Sequence, residues 1–227
     1  MAIVKSLAVG KARKSAGNVT FATSRGRVIM REKMTRTAAF NQAQLMQQSS
    51  FGQVSRAVRI MRAMWDKTYE PSKYGSSFNN FSKINYDVIK EATLALPTEK
   101  ITDIAFMDAI IAEFSTKTPP ISGYGTLSGV VDNFYRYKED ETGFTVNVIL
   151  GPSAKKGDVI HGCAINIDNG IMYISNSKVI IDDADLSSGH ADLLISSANL
   201  SKSLISVGCS RNAQCATTGE MLVYIKK

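Results

Sequence analysis

Two histidines, His161 and His190, and three cysteines, Cys163, Cys209 and Cys215, are the residues of this chain best suited to metal or nucleophilic chemistry. Their spacing argues against both. His161-Gly-Cys163 places two potential ligands one residue apart on an expected strand, short of the four that a structural zinc site assembles. Ser187, His190 and Asp192 supply the three residue types of a hydrolase triad, but they share one Ser-rich loop and lack a nucleophile elbow. Asp182, Asp183 and Asp185 cluster without the glycine and terminal glutamate of a calcium loop, so they read as solvated. Gly123-Tyr-Gly125-Thr-Leu-Ser-Gly129 misses dinucleotide-loop spacing by one residue. It also precedes a strand, whereas a phosphate cradle needs a helix N-terminus. An odd number of cysteines without zinc spacing predicts reduced, partly buried thiols; a Cys209–Cys215 disulfide is sterically conceivable but unsupported. We therefore expect no enzyme, no metal and no cofactor.

The stronger signal is charge. Between Met1 and Arg62 there are twelve Lys/Arg and a single acid, Glu32, a net +11; the whole chain carries +7, so the remaining residues sum to −4. Arg25, Arg27 and Arg31 fall on an expected hairpin, and Arg56, Arg59 and Arg62 recur every third residue of an expected helix. Such a face attracts phosphates at long range. Aromatic residues are sparse around it, with Phe21 and Phe40 alone in the first fifty, and no nucleic-acid module fits. Contact with a neighbouring copy or partner therefore ranks ahead of nucleic acid, and both rank ahead of a merely solvated face.

The elements that must position these arginines follow from periodicity. At 227 residues, with 44% apolar and 21% charged residues, the chain can bury a sizeable core. It has no run of apolar residues long enough for a membrane span and no signal-peptide core, so synthesis in the cytoplasm is expected. Residues 1–16 read as a basic arm with a short strand at Ala2–Leu7. Val19 and Phe21, then Val28 and Met30, alternate with polar or basic neighbours around Ser24-Arg25-Gly26, which predicts a β-hairpin. From Thr37 to Lys67 the period is helical: Phe51, Val54, Val58, Met61 and Trp65 form one stripe, with a break expected at Ser49–Gly52. A helix follows with its stripe from Phe78 to Ile89, ending before Pro97, and another runs from Ile101 to Phe114 with Thr102 as its N-cap. Thr118-Pro119-Pro120 ends that region.

After Ile121 the chain reads as seven strands: Val130-Val131, Phe144–Leu150, Val159–Ile167, Ile171–Ile181, Ala191–Ser196, Ser203–Cys209 and Glu220–Ile225. Asp168-Asn169-Gly170 predicts a tight type I′ hairpin. The expectation is an α+β protein in two domains: residues 1–120 with the arm, hairpin and helices, and residues 121–227 as an immunoglobulin-like antiparallel β-sandwich.

Four pieces of the chain carry a resemblance. Gly10-Lys11 and Ser15-Ala16-Gly17-Asn18-Val19 lead into Gly26-Arg27-Val28-Ile29-Met30-Arg31. Asn41-Gln42-Ala43-Gln44, Gln48 and Phe51 come next, followed by Phe78-Asn79-Asn80-Phe81. Gly157-Asp158-Val159-Ile160-His161 then leads to Ile174-Ser175-Asn176-Ser177. In these pieces the chain resembles a family of proteins found in Bacteroidetes genomes and in crAss-like bacteriophages of the gut. The resemblance implies a virion structural role: a homo-oligomeric ring or connector in the neck or tail. Its partners would be copies of itself and neighbours such as a portal or other tail rings, without a membrane. Opposite charge at the two ends would then favour correct register between subunits. The alternative is a nucleic-acid-binding protein that uses the same six arginines.

Overall fold

A computed structural model describes residues 2–4, 14–16, 19–24, 27–32, 39, 41–72, 75–94, 96, 101–140, 143–196 and 202–225. The chain divides into two compact units, Met1–Leu45 and Met46–Lys227. In the first, β1 (Ala2–Val4), β2 (Lys14–Ala16), β3 (Val19–Ser24) and β4 (Arg27–Glu32) form an antiparallel sheet in the order β1-β4-β3-β2. The expected hairpin is β3–β4, with Ser24 opposite Arg27 and Phe21 opposite Met30. Of residues 19–22, 28–32, 39 and 41–45 in this unit, only Val28 is buried.

Helix α1 (Gln42–Ile60) begins in the first unit and runs into the second. A reciprocal capping pair starts it: the Gln44 N–H donates to Asn41 Oδ1 at 2.8 Å, and the Asn41 N–H donates to Gln44 Oε1 at 3.1 Å. The break expected at Ser49–Gly52 is absent, because the helix passes through Gly52 and pauses at Met61, before the short α2 (Arg62–Trp65). Val54, Val58, Met61 and Trp65 are buried as the helical period requires, whereas Phe51 at the head of the stripe is 63% exposed. The single helix expected over Phe78–Ile89 is two, α3 (Ser77–Ile84) and α4 (Tyr86–Leu94). Asn85 separates them because its side chain is committed elsewhere: Nδ2 donates to the Tyr69 hydroxyl at 2.8 Å and Oδ1 accepts from the Ile121 N–H at 2.8 Å. Helix α5 (Asp103–Phe114) starts as expected, with Thr102 Oγ1 accepting from the Ala105 N–H at 3.2 Å. None of the described helices is long and apolar enough to cross a membrane.

The remainder is antiparallel β-structure: β5 (Val131–Asp140), β6 (Gly143–Leu150), β7 (Val159–Asp168), β8 (Ile171–Ile180), the short α6 (Asp183–Ser188), β9 (His190–Ser196), β10 (Lys202–Arg211), β11 (Gln214–Cys215) and β12 (Leu222–Ile225). One sheet has the order β5-β6-β9; the other runs β11-β10-β7-β8, with β12 also paired to β10. The β7–β8 turn holds Asn169 at φ 48° and Gly170 at φ 75°, as the Asn-Gly pair predicts.

Alternation along β7 and β10 sorts the layers. Cys163, Ile165, Ile167 and Leu204 pack with Val58, Met61, Phe106, Ile110 and Phe114 of the helices. Ile160, Ala164, Ile205 and Val207 pack with Val146, Val148, Leu193 and Ile195 of the other sheet. β7 and β10 are thus buried on both faces, between helices and a second sheet, while β8 beside them is largely exposed. At residue 120 the chain changes from helices to strands that share one apolar core, and the two compact units divide between Leu45 and Met46. The fold is mixed helix and sheet, with all of its named strand pairs antiparallel.

The helical layer meets the sheet most tightly at Gly208, where an added Cβ would stand 2.4 Å from Thr68 Cγ2 and 2.5 Å from Thr68 Cβ. Gly208→Ala should therefore lower unfolding stability by about 1–3 kcal/mol, through overpacking. Gly52→Ala, at an α1 position with nothing within 4 Å, should raise it by roughly 0.5–1 kcal/mol. Urea denaturation of both variants checks the pair; equal effects would mean that the Thr68–Gly208 contact does not set the docking.

Candidate functional site

The six expected contact arginines do not share one environment. Arg25 lies outside the described residues. Arg27 and Arg31 are in β4, where Arg31 is exposed and opposite Thr20. Arg56 is turned inward. Its Nε donates to Asp103 Oδ1 at 2.7 Å, its Nη2 donates to the Ile101 carbonyl at 2.7 Å, and its guanidinium lies 4.5 Å from the Phe106 ring centre. Its donors fix the start of α5 to α1, so Arg56 holds the helices together and is not a free phosphate contact. Arg59 and Arg62 are exposed, and among the described residues no acid pairs with either.

These two arginines border a groove of about 580 Å³ between the end of the long helix and the β7–β8 face. Lys67 joins them from the chain after α2, and its one described ion pair, with Asp66, is a loose 3.9 Å. Across the groove stand His161 and Cys163 on β7, with Ile174, Asn176 and Ser177 on β8. Lys178 pairs directly with His161 across the strands and is exposed. Ile60, Ala63 and Ile174 supply apolar walls.

His161 reports the field in this groove. Its Nε2 is 2.8 Å from Ser210 Oγ, and its pKa is pushed below the ordinary imidazole range, first by burial and then by the charges of Lys67 and Lys178. The imidazole therefore does not add a fixed charge at neutral pH. The positive potential comes from the lysines and arginines around it.

The other candidate chemistries dissolve into structural roles. Asp182 caps α6, accepting from the Ala184 and Asp185 N–H groups at 2.8 and 2.9 Å, and Asp185 Oδ2 returns a bond to the Asp182 N–H at 3.1 Å. Asp183 pairs with Lys156. Ser187 Oγ donates to the Asp183 carbonyl at 2.7 Å, while Asp192 accepts from Asn147 Nδ2 at 2.7 Å, so the drawn triad has separate partners. Among the described residues no three His, Cys, Asp or Glu side chains converge as a metal would need. Gly125 belongs to a close backbone approach: a Cβ there would lie 2.1 Å from the Cys215 carbonyl oxygen and 2.8 Å from Glu70 Oε2. That carboxylate also accepts from the Thr126 N–H at 2.9 Å and the Cys215 N–H at 3.2 Å, which ties the glycine loop to β11.

Sequence reasoning missed Lys67, Asn176 and Lys178. Lys178 was accessible to it: a two-residue Asn169-Gly170 loop pairs Asp168 with Ile171, and counting back along the hairpin sets Lys178 opposite His161. No protein-family model, curated protein or solved structure matches this chain.

Two titrations follow from these environments. By NMR, His161 should titrate below the usual imidazole range, and Lys178→Gln should move its midpoint upward, since removing a nearby cation favours the imidazolium. A downward or absent shift would mean that Lys178 does not act on the ring. The three cysteines are free and buried, and burial pushes Cys163 and Cys209 up to about 12 and Cys215 to about 11. Unfolded thiols release protons from about pH 8.5, so the folded state holds them more tightly. Stability should be full below that pH and fall as pH rises toward 11–12. Iodoacetamide near neutral pH should leave the folded thiols unmodified and label all three in urea; rapid labelling of folded protein would contradict their burial.

Proposed function

We propose that this chain is a non-enzymatic assembly protein whose N-terminal unit is completed by neighbouring copies. One observation carries the reading: β1–β4 form a four-stranded sheet in which, of residues 19–22 and 28–32, only Val28 is buried, and among the described residues neither apolar core includes one before Val54. A sheet gains independent stability from an apolar face packed on something. On α1, Leu45 and Met46 are exposed at 52% and 64%. Together with the resemblance to crAss-like phage proteins, this supports a homo-oligomeric ring or connector in a bacteriophage neck or tail. Such a component would be made in the host cytoplasm and built into the virion beside a portal or other rings. The strand orders also support an immunoglobulin-like description of the sandwich. Successive hairpins alternate between sheets: β5, β6 and β9 lie in one, and β7, β8, β10 and β12 in the other.

A second reading, nucleic-acid contact, is favoured by the outward cations Arg59, Arg62 and Lys67 around the groove. Salt separates the two: phosphate contacts give a steep log–log loss of affinity, whereas an apolar interface survives moderate salt. Light scattering coupled to size exclusion should show a discrete oligomer at both low and moderate salt, and Val28→Asp should disperse it. A monomer at every concentration and salt would sink the homo-oligomeric ring.

A further inference from the structure

We infer that the groove between α2 and the β7–β8 hairpin is a binding site for a phosphate ester on a compact organic body, a nucleotide either free or as one unit of a strand. The inference deepens the nucleic-acid reading and is independent of the ring. Three observations meet here. The volume, about 580 Å³, lies in the range of small-molecule sites, roughly 300–1,000 Å³. The rim carries Arg59, Arg62 and Lys67 from the helical side, against the acid Asp66, and Lys178 follows the lining residue Ser177 on the facing strand, directly opposite His161. The walls are mixed: Ile60, Ala63 and Ile174 offer apolar surface to a base or sugar, while Asn176 offers an amide that can both donate and accept.

The cations come from two separate layers, and that separates a site from a solvated stripe. Arg59 and Arg62 are one helical turn apart, and any exposed basic helix would present them. Lys178 is brought to the same groove by the register of the β-hairpin and by docking of the helices on the same face of the sheet. The His161 imidazole is held toward its neutral form by burial first and then by the charges of Lys67 and Lys178, which is consistent with the positive rim. Arg56, with its donors spent on Asp103 and Ile101, takes no part. Guanidinium forks at the rim bind phosphate oxygens bidentately, while the lysines act as point charges.

The test uses the full chain in phosphate-free buffer with two probes, thymidine monophosphate and a short labelled oligodeoxythymidylate. Three proteins are compared: the native sequence, the double variant Arg62→Glu/Lys178→Glu, and the control Lys83→Glu, an exposed cation away from the groove. Binding of both probes is expected, with affinity reduced about tenfold or more in the double variant and about unchanged in the control. Binding of the strand alone with the same sensitivity supports the site, with a strand as the source of the nucleotide. Binding of the monophosphate alone supports a free nucleotide. If the strand binds but the double variant binds it equally well, the groove is overturned while nucleic-acid contact elsewhere stands. If neither probe binds, both are overturned. Circular dichroism and thermal unfolding of the double variant show whether it is folded. Should it unfold, Lys178→Gln alone, at an exposed edge-strand position, carries the same comparison.

Discussion

The placement of the helices on the sheet depends on a small buried polar seam. The hydroxyls of Thr68 and Ser206 both lie within reach of the Met64 and Ser122 carbonyls, Thr68 Oγ1 at 2.9 Å from each and Ser206 Oγ at 3.1 and 3.2 Å, so their two protons can satisfy both carbonyls. Beside it the Tyr69 hydroxyl donates to the Ile121 carbonyl at 2.7 Å and receives Asn85 Nδ2. The end of the helix, the strand β10, the segment after the double proline and the α3–α4 break thus converge on one point. Apolar contacts would tolerate a sliding helix; a buried hydroxyl left without its partner costs about 1–3 kcal/mol. The seam therefore fixes a register that the surrounding Met and Ile side chains could not fix alone. Gly208 is part of the same constraint, since only the absence of a Cβ lets Thr68 reach β10.

That register decides which arginines face outward. With α1 and α2 held over β7 and β10, Arg56 falls against Asp103 and Phe106, while Arg59 and Arg62, one and two steps further along the same flank, reach the uncovered margin toward β8. Three residues of identical type at identical spacing thus acquire two different roles. A partly exposed pair such as Arg56–Asp103 contributes modestly to stability; here its added bond to the Ile101 carbonyl and its ring contact make it a tether between helices.

What was legible in the sequence was local. The Asn169-Gly170 turn, the Thr102 cap, the hairpin strands flanking residue 25 and five of the seven expected strands of the second half follow from turn chemistry and alternation. By contrast, β5 runs on from Val131 to Asp140, β12 begins only at Leu222, and α6 and β11 were not foreseen. What was not legible was long-range. Nothing in the periodicity of residues 46–120 says that Val58 and Phe114 will share a core with Ile165 and Leu204. Asn85 looked like one more polar residue on a helix until its partners at Tyr69 and Ile121 were in place. Phe51 continued the apolar stripe by spacing alone, although the core it should have entered stops at Val54. The groove depends on two layers meeting, and only half of its cations lie in the stretch where charge drew attention.

The same geometry accounts for how the fold tolerates so much positive charge in one place. Arg59, Arg62, Lys67 and Lys178 repel one another, and among the described residues only Asp66 pairs with any of them, loosely. Such repulsion stays small when the charges are solvated and grows as they are enclosed. These four sit on an open rim and not in the apolar walls, so the fold bears the concentration of charge at little cost. The one ionisable group that is half-enclosed, His161, responds by favouring its neutral form. An anion entering the groove would reverse the balance: it would relieve the repulsion among the cations and would interact with them at lower effective dielectric than in bulk water. The apolar walls would strengthen that attraction by excluding solvent. A groove whose cations repel one another weakly when it is empty would thus gain on filling with an anion, which is the property that distinguishes a binding surface from a basic face kept only for solubility.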